Sequence, residues 1–128
     1  MSPNKRKIVI LGAGYAGLRV TQDLTKNMGS SSVEIILIDR SDFHVFHSDL
    51  YEVATAFNKK ITRECLMRLR ETVATPIKDL IDRSRVQFLR DEIVDVDHKS
   101  KTVKLKRKGS LSYDYLVVAL GSETNYFG

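Results

Sequence analysis

Three glycines near the amino terminus have the spacing of a phosphate-binding turn. Gly12, Gly14 and Gly17 fit the pattern G-x-G-x-x-G directly after an apolar run, and Asp39 follows 22 residues beyond Gly17. In such a pattern the first glycine permits a tight turn, the second lets the backbone approach a pyrophosphate, and the third lets a helix pack closely on a strand. A carboxylate at that distance can accept hydrogen bonds from both ribose hydroxyls. The spacing therefore predicts a site for an adenine dinucleotide.

This fingerprint leaves the choice between NAD and FAD open, because both molecules contain ADP. A ribose bound by Asp39 needs a free 2′-hydroxyl, which argues against a 2′-phosphate and so against NADP. Arg40, the next residue, weakens that argument because a cation could meet a phosphate. The alternative interpretation is a glycine-rich turn that serves packing only.

Two strands and a helix are predicted to hold these residues. Residues 8–11 read "IVIL" and residues 33–39 read "VEIILID", and both are typical of strands buried on two faces. Apolar residues at helical spacing predict a helix over 14–28, with Gly29 as its C-cap glycine. Strand, helix and strand within about thirty residues form a right-handed βαβ unit with parallel strands.

The later segments predict further helices, two more parallel strands and an antiparallel meander. The helices are expected at residues 48–57, 64–73 and 75–84. The last of these has Thr75 as N-cap and Pro76 at its first position. Strands are expected at 86–89 and 115–120, separated by a stretch in which apolar and polar residues alternate. The predicted fold class is α/β, a Rossmann-like three-layer parallel sheet with a small antiparallel β-meander.

Composition argues against several other kinds of function. The net charge is +5, but the basic residues are not interleaved with aromatic ones, so we expect no nucleic-acid binding. A single cysteine, Cys65, excludes an intramolecular disulfide, and His44, His47 and His98 do not form a metal-ligand set. We interpret His44 and His47 as polar residues of a surface loop in preference to proton carriers. No apolar run approaches the ~20 residues of a membrane span and no secretory signal opens the chain, so a cytoplasmic location is expected.

The order of the segments resembles that of flavoproteins with two dinucleotide-binding domains. In that superfamily a meander follows the first βαβ region, and a strand ending like "hhhhATG" returns to the flavin. Residues 117–122, "VVALGS", match that ending with Leu120 in place of the usual threonine. The chain resembles the type II NADH dehydrogenases in particular, the single-subunit NADH:quinone oxidoreductases. The segments that carry this resemblance span nearly the whole chain and read "KIVILGAGYAGL", "IDRSDFHVFHSDLYEVAT", "TPIKDLI" and "YDYLVVALGSETNYFG".

This resemblance implies FAD as the cofactor, with NADH as electron donor and a quinone as acceptor in the full-length enzyme. In relatives the segment after the acidic residue reads like "NFHLFxPLLYQVAT", and its Pro-Leu-Leu turn lies near the isoalloxazine ring. Here Ser48 replaces the proline and Asp49 adds a charge. The flavin carries the redox chemistry, so no catalytic side chain and no metal are expected.

The cofactor-binding residues that the sequence and the resemblance together imply lie in four parts of the chain. They are Gly12, Gly14, Tyr15, Ala16, Gly17, Asp39, Arg40, Ile93, Val94, Ala119, Leu120 and Gly121. By resemblance, the N–H groups of Tyr15 and Ala16 face the pyrophosphate and the backbone at Ile93 and Val94 edges the adenine. Arg40 packs on the adenine or reaches a phosphate.

The resemblance also implies that residues 1–128 are the N-terminal part of a split FAD-binding domain. The NAD-binding domain and the C-terminal FAD segment would then be absent, so the FAD/NAD(P)-binding domain is incomplete. Full-length relatives lie peripherally on the inner face of the cell membrane. The chain alone is expected to bind the ADP half of FAD weakly and to show no turnover. Because no helix is predicted after the last strand, an open sheet face predicts a homodimer or a swapped assembly.

Two other functions stay open at this point. One is another FAD/NAD(P) oxidoreductase, of the sulfide:quinone or ferredoxin-reductase type. The other is a non-catalytic module that binds an adenine dinucleotide or acts through a partner. A plain NAD-dependent dehydrogenase is disfavoured by the meander. Disulfide-reductase chemistry is disfavoured because residues 44–57 lack the C-x₄-C pair.

Overall fold

The computed structural model describes residues 5–55, 62–123, 125 and 127. In chain order the strands are β1 (Arg6–Leu11), β2 (Val33–Asp39), β3 (Phe43–Val45), β4 (Ala74–Pro76), β5 (Val86–Arg90), β6 (Ile93–Asp97), β7 (Thr102–Leu105), β8 (Gly109–Ser112) and β9 (Tyr115–Val118). The helices are α1 (Tyr15–Asn27), α2 (Leu50–Thr55), α3 (Arg63–Val73) and α4 (Ile77–Leu80), with a 3₁₀ turn at His47–Asp49.

Three sheets organise these elements. The main sheet is parallel throughout, in the order β5-β2-β1-β9. The predicted meander is present as the antiparallel sheet β6-β7-β8. A two-stranded antiparallel ribbon, β3-β4, was not predicted. The α/β class and the four parallel strands are confirmed.

The centre of the molecule is formed by β1 and β2, whose side chains are apolar on both faces. Alternate residues enter two different cores. Ile8 and Ile10 belong to a core that includes Leu18 of α1, whereas Val9 and Leu11 belong to one that includes residues of the meander. The layers are therefore helix, parallel sheet and meander.

The prediction of an open sheet face is wrong for the two central strands. Val103 and Leu105 of β7, together with Tyr113, are buried against the face of β1 and β2 opposite α1. The meander thus takes the place of the helix that a doubly wound sheet would put there. Exposed apolar side chains remain along β9, at one edge of the sheet, where Tyr115 is 52% and Val118 is 62% exposed.

Helix α1 lies within the predicted limits, but its C-terminal end is not capped in the predicted way. Gly29 is not in the left-handed conformation, so the prediction of a C-cap glycine is wrong. The guanidinium of Arg85 donates instead to the carbonyl oxygens of Thr25 and Met28. A cation at this end of the helix both satisfies free carbonyls and meets the negative end of the helix dipole.

The helix predicted over 75–84 is mostly absent. Its first residues belong to β4, which pairs with β3, and only the four residues of α4 are helical. Pro76 is the N-cap and not the first helical residue, so Thr75 does not cap it. The helix stops because Ile81 is extended and the Asp82 carboxylate accepts hydrogen bonds from both the N–H and the hydroxyl of Ser84. Such local side-chain bonds compete with helix formation.

The two other predicted helices are present where the structure describes them. In the segment 48–57 the 3₁₀ turn leads into α2, while residues 56 and 57 lie outside the described residues. The segment 64–73 is α3, and Thr62 caps it by accepting a hydrogen bond from the N–H of Cys65.

Candidate functional site

The glycine-rich turn joins β1 to α1, and two of its glycines are required by close packing. Gly12 has φ +97°, and a Cβ there would lie 2.3 Å from the Ala119 carbonyl oxygen. A Cβ on Gly17 would lie 1.8 Å from the Gly12 carbonyl oxygen. Both contacts are with backbone, so neither position can accept a side chain without a shift of the chain.

Gly14 is different, because the space beside it is empty. A Cβ at Gly14 would meet no atom within 4 Å, and its φ of −74° and ψ of −168° lie in a region open to any residue. Packing therefore does not explain a glycine at this position. The absence of a Cβ leaves room for a group from outside the described part of the protein to approach the backbone, as a pyrophosphate would.

The start of α1 supplies unpaired donors beside this space. Among the described residues no side chain caps the helix at Gly14, and its first turn contains no acidic residue. The N–H groups of Tyr15 and Ala16 lie in that first turn, where helices have no internal acceptors. Together with the positive end of the helix dipole they form an anion-binding arrangement. The glycine loop and helix start therefore fit an adenine dinucleotide.

Asp39 lies at the end of β2 and is tied to the glycine turn. One carboxylate oxygen accepts a 2.7 Å hydrogen bond from the N–H of Ala13, and the other accepts a 2.8 Å bond from the N–H of Ser41. Each carboxylate oxygen can accept a second hydrogen bond, so capacity for ribose hydroxyls remains. The structure thus adds a role the sequence did not indicate, since Asp39 also holds the loop.

The side chain of Arg40 pairs with a residue that the sequence did not single out. Its guanidinium donates to the Glu123 carboxylate, and both side chains are largely exposed. The hydrogen bond and the charge of Glu123 raise the pKa of Arg40 above its ordinary value. Arg40 is therefore held toward the segment after β9.

That segment brings Ala119 against the glycine turn. The N–H of Ala119 donates to the Leu11 carbonyl oxygen at 2.8 Å, which extends the pairing of β9 with β1. Leu120 is 58% exposed, and Gly121 has φ +72° with open space around its α-carbon. Of the three residues predicted here, Ala119 is the one that lies against the glycine turn, with its carbonyl oxygen beside Gly12.

Ile93 and Val94 are the first residues of the meander. They follow Asp91, whose backbone is hydrogen-bonded to that of Asp39. The Asp91 N–H donates to the Asp39 carbonyl oxygen at 2.9 Å, which joins the meander to the end of β2. Ile93 is half-buried and packs on the core beneath the meander, whereas Val94 is exposed at an irregularity in the β6–β7 pairing.

Asp91 itself is a buried acid that sequence reasoning missed. Its carboxylate accepts hydrogen bonds from the N–H groups of Glu92, Arg107 and Lys108. Burial alone would raise the pKa of Asp91, but these three donors and the charge of Arg107 outweigh it and lower the pKa below its ordinary value. Asp91 therefore fixes the β7–β8 turn, and its neighbours in the chain offered no sign of this.

His44 was expected in a surface loop, but its side chain is buried. It is only 4% exposed, so the view of it as a polar loop residue is wrong. Its ring stands edge-on to the rings of Tyr15 and Phe46, with centroids 4.8 Å away in both cases. His47, by contrast, is exposed in the 3₁₀ turn, as expected.

Three further observations concern metal ligands, membrane-spanning helices and the single cysteine. Among the described residues no three His, Cys, Asp or Glu side chains lie together as metal ligands. Within the same residues no helix has the length and apolarity needed to cross a membrane. Cys65 is a free and exposed thiol.

The fold and this arrangement define a class of protein. Residues 6–128 match the family described as pyridine nucleotide-disulphide oxidoreductase, and the chain belongs to that family. The type II NADH:quinone oxidoreductase of Staphylococcus saprophyticus is 30% identical over 128 residues, which are 100% of this chain and 29% of that protein. The Staphylococcus haemolyticus enzyme of the same name is 31% identical, with the same coverage. The resemblance to type II NADH dehydrogenases is confirmed.

Solved structures support the fold. NDH2 from Plasmodium falciparum, solved with NADH, aligns with a TM-score of 0.70 at 22% identity over 97% of this chain and 24% of that one. The sulfide:quinone oxidoreductase of Aquifex aeolicus aligns with a TM-score of 0.74 at 20% identity over 94% of this chain and 25% of that one. The chain thus spans less than a third of the length of these relatives.

Proposed function

We propose that this chain is the FAD-binding portion of an oxidoreductase that passes electrons from NADH through FAD to a quinone. The single observation that carries the proposal is the empty space at Gly14 beside the uncapped start of α1. The 30% identity with a type II NADH:quinone oxidoreductase along the whole chain supports NADH as the electron donor in preference to sulfide. This chain covers 29% of that relative. The activity of the whole enzyme is therefore part of the proposal.

The residues of this chain bind and orient the ADP half of the cofactor. The first-turn N–H groups of Tyr15 and Ala16 hold the pyrophosphate, and Gly14 lets it approach. Asp39 accepts the ribose hydroxyls with the lone pairs that Ala13 and Ser41 leave free. When bound, the flavin supplies the redox chemistry, accepting a hydride from NADH and passing electrons on.

The other predicted residues surround this half-site. The backbone at Ile93 and Val94 lies along the adenine, and the segment from Ala119 through Leu120 to Gly121 extends toward the flavin. In this structure the Arg40 guanidinium donates a hydrogen bond to the Glu123 carboxylate. After release from Glu123, Arg40 reaches the adenine or a phosphate. We propose no catalytic side chain and no metal within the described residues.

The assembly and its location belong to the same proposal. The exposed Tyr115 and Val118 lie on the edge strand β9, so we propose that a second copy or a swapped segment covers them. Because a quinone acceptor is a lipid-soluble molecule, we propose that the full-length enzyme lies peripherally on the inner face of the membrane.

Calorimetric titration of the 128-residue protein with FAD, ADP and NADH tests this function. We expect FAD and ADP to bind with similar, modest affinity, because both present the same ADP group to the loop. Asp39→Ala should abolish both, since it removes the ribose acceptor and the partner of the Ala13 N–H. Asp97→Ala is the matched control, because the Asp97 carboxylate is exposed and, like that of Asp39, accepts hydrogen bonds from two backbone N–H groups, those of Lys99 and Ser100.

The outcomes test the ADP half-site. A folded protein that binds none of the three nucleotides contradicts the proposal. Because NADH presents the same ADP group, equal affinity for FAD, ADP and NADH, all lost with Asp39→Ala, supports the half-site, whereas tighter binding of FAD favours the flavin as its ligand. Loss of binding in Asp97→Ala would show that the effect at Asp39 is not local.

A further inference from the structure

His44 makes a contact with the glycine turn that the proposed function does not use. Its Nδ1 lies 3.1 Å from the carbonyl oxygen of Ala13, which is 31 residues away in the chain. A carbonyl oxygen has no proton to give, so Nδ1–H is the donor. The ring is buried and packs edge-on against both Tyr15 and Phe46, which leaves it little freedom to move away.

The direction of the Ala13 carbonyl determines the direction of a neighbouring donor. The carbonyl of Ala13 and the N–H of Gly14 belong to one peptide unit, and the described chain contains no cis peptide bond. In a planar trans peptide these two groups point to opposite sides. By holding the carbonyl on its own side, His44 therefore turns the Gly14 N–H to the other side.

Ala13 is thus held at both of its backbone polar groups by side chains from other elements. Asp39, at the end of β2, accepts its N–H, and His44, in the middle of β3, donates to its carbonyl. β3 is itself anchored to β4, where His44 pairs with Thr75. The imidazole of His44 therefore links the β3-β4 ribbon to the glycine turn.

We propose that His44 is a positioning residue, which sets the Ala13–Gly14 peptide so that its N–H joins the first-turn donors of α1 in binding a pyrophosphate. This inference rests on the proposed function, because it assigns His44 a role in that same half-site. The ring does not touch the ligand. It acts through the loop, by fixing one peptide plane before the ligand arrives and so lowering the cost of ordering it.

The test compares variants that keep either the ring or the donor. His44→Phe keeps a buried aromatic ring and removes Nδ1–H, whereas His44→Asn loses the ring and keeps an N–H donor near the position of Nδ1. His98→Phe is the matched control, since His98 is exposed on the meander. We expect His44→Phe to weaken ADP binding by about two- to tenfold, the range for one net hydrogen bond. His44→Asn should recover part of that loss, and His98→Phe should bind as wild type.

Two further readouts distinguish positioning from a merely structural role. The ADP-induced shift of the Gly14 amide signal, followed by ¹H–¹⁵N NMR, should shrink in His44→Phe even where its melting temperature equals that of the wild type. The imidazole ¹⁵N signals of the wild-type protein should report the Nδ1–H tautomer, a measurement that needs no variant to fold.

The results distinguish the role of His44 from the proposed function. Wild-type ADP affinity in a folded His44→Phe protein, or an Nε2–H tautomer in the wild type, overturns the role of His44 while leaving the proposed function intact. Failure of the wild-type protein to bind ADP and FAD overturns the proposed function and this inference with it.

Discussion

Replacing each glycine of the turn by alanine should separate ligand binding from packing within one motif. At Gly14 an added Cβ meets nothing within 4 Å, whereas at Gly17 it lies 1.8 Å from the Gly12 carbonyl oxygen. Gly12 combines a 2.3 Å contact with φ +97°. We expect Gly14→Ala to lose affinity for ADP and keep its stability, and Gly17→Ala and Gly12→Ala to lose stability.

The magnitudes follow from the surroundings of each glycine. At Gly14 alanine gains about 0.4–1 kcal/mol by restricting the unfolded chain, and loses roughly half a kcal/mol as a poorer N-cap than glycine. The free energy of unfolding should therefore change by less than about 0.5 kcal/mol. At Gly17 helix propensity contributes about 1 kcal/mol in favour of alanine, but a forced shift of backbone costs about 3 kcal/mol, the upper end for overpacking. The net loss of about 2 kcal/mol corresponds to a fall of roughly 8 °C in melting temperature for a domain of this size.

Thermal unfolding followed by circular dichroism, and calorimetric titration with ADP, check both halves of this prediction. A methyl group in the space of the pyrophosphate should weaken ADP binding by about tenfold or more, because overpacking a tight contact costs about 1–3 kcal/mol. Wild-type ADP affinity in Gly14→Ala would place the pyrophosphate elsewhere. Wild-type stability in Gly17→Ala would refute the close approach of α1 to the turn.

Three further predictions concern other parts of the chain. Because the folded-state pKa of Asp91 is lowered, its contribution to stability is present above the unfolded pKa of about 3.9 and is lost as pH falls through the folded pKa. In urea unfolding Asp91→Asn should therefore be less stable than wild type at pH 7, with the difference shrinking below about pH 4, and a constant difference would contradict this. Val118→Lys should reduce self-association in sedimentation velocity if the edge strand β9 is the contact, and an unchanged profile argues for another surface. Glu123→Gln releases Arg40 and should strengthen ADP binding in calorimetry with little change in melting temperature, since exposed ion pairs stabilise proteins little; unchanged affinity would place Arg40 away from the ligand.

Local pattern was sufficient to predict the elements that carry the glycine turn. β1 and β2 are uninterrupted apolar runs, and α1 has a clear helical period, so few alternatives compete with them. The meander was predictable for the same reason, because its alternation of apolar and polar residues is typical of strands with one buried face. The order of these segments along the chain then restricted the topology to a parallel sheet.

The features that escaped prediction depend on partners distant in sequence. Thr75 begins a plausible helix until β4 pairs with β3, more than thirty residues earlier. His44 lies between apolar residues in "FHVF", a pattern compatible with either face, and only its contact with Ala13 shows that it points inward. Asp91 and Glu123 likewise acquire roles from residues that no local pattern could bring near them.

The contact between Gly12 and Ala119 has a consequence for the order in which the protein is built. These residues are 107 positions apart, yet the Ala119 carbonyl is part of what encloses the turn. During synthesis β1, α1 and β2 can associate early, whereas β9 reaches β1 only after the whole meander has left the ribosome. The glycine turn is therefore enclosed only after the chain has been made as far as Ala119. Under the proposed function, nucleotide binding by the turn then waits for β9, and the bound nucleotide holds this late-pairing strand in place by mass action.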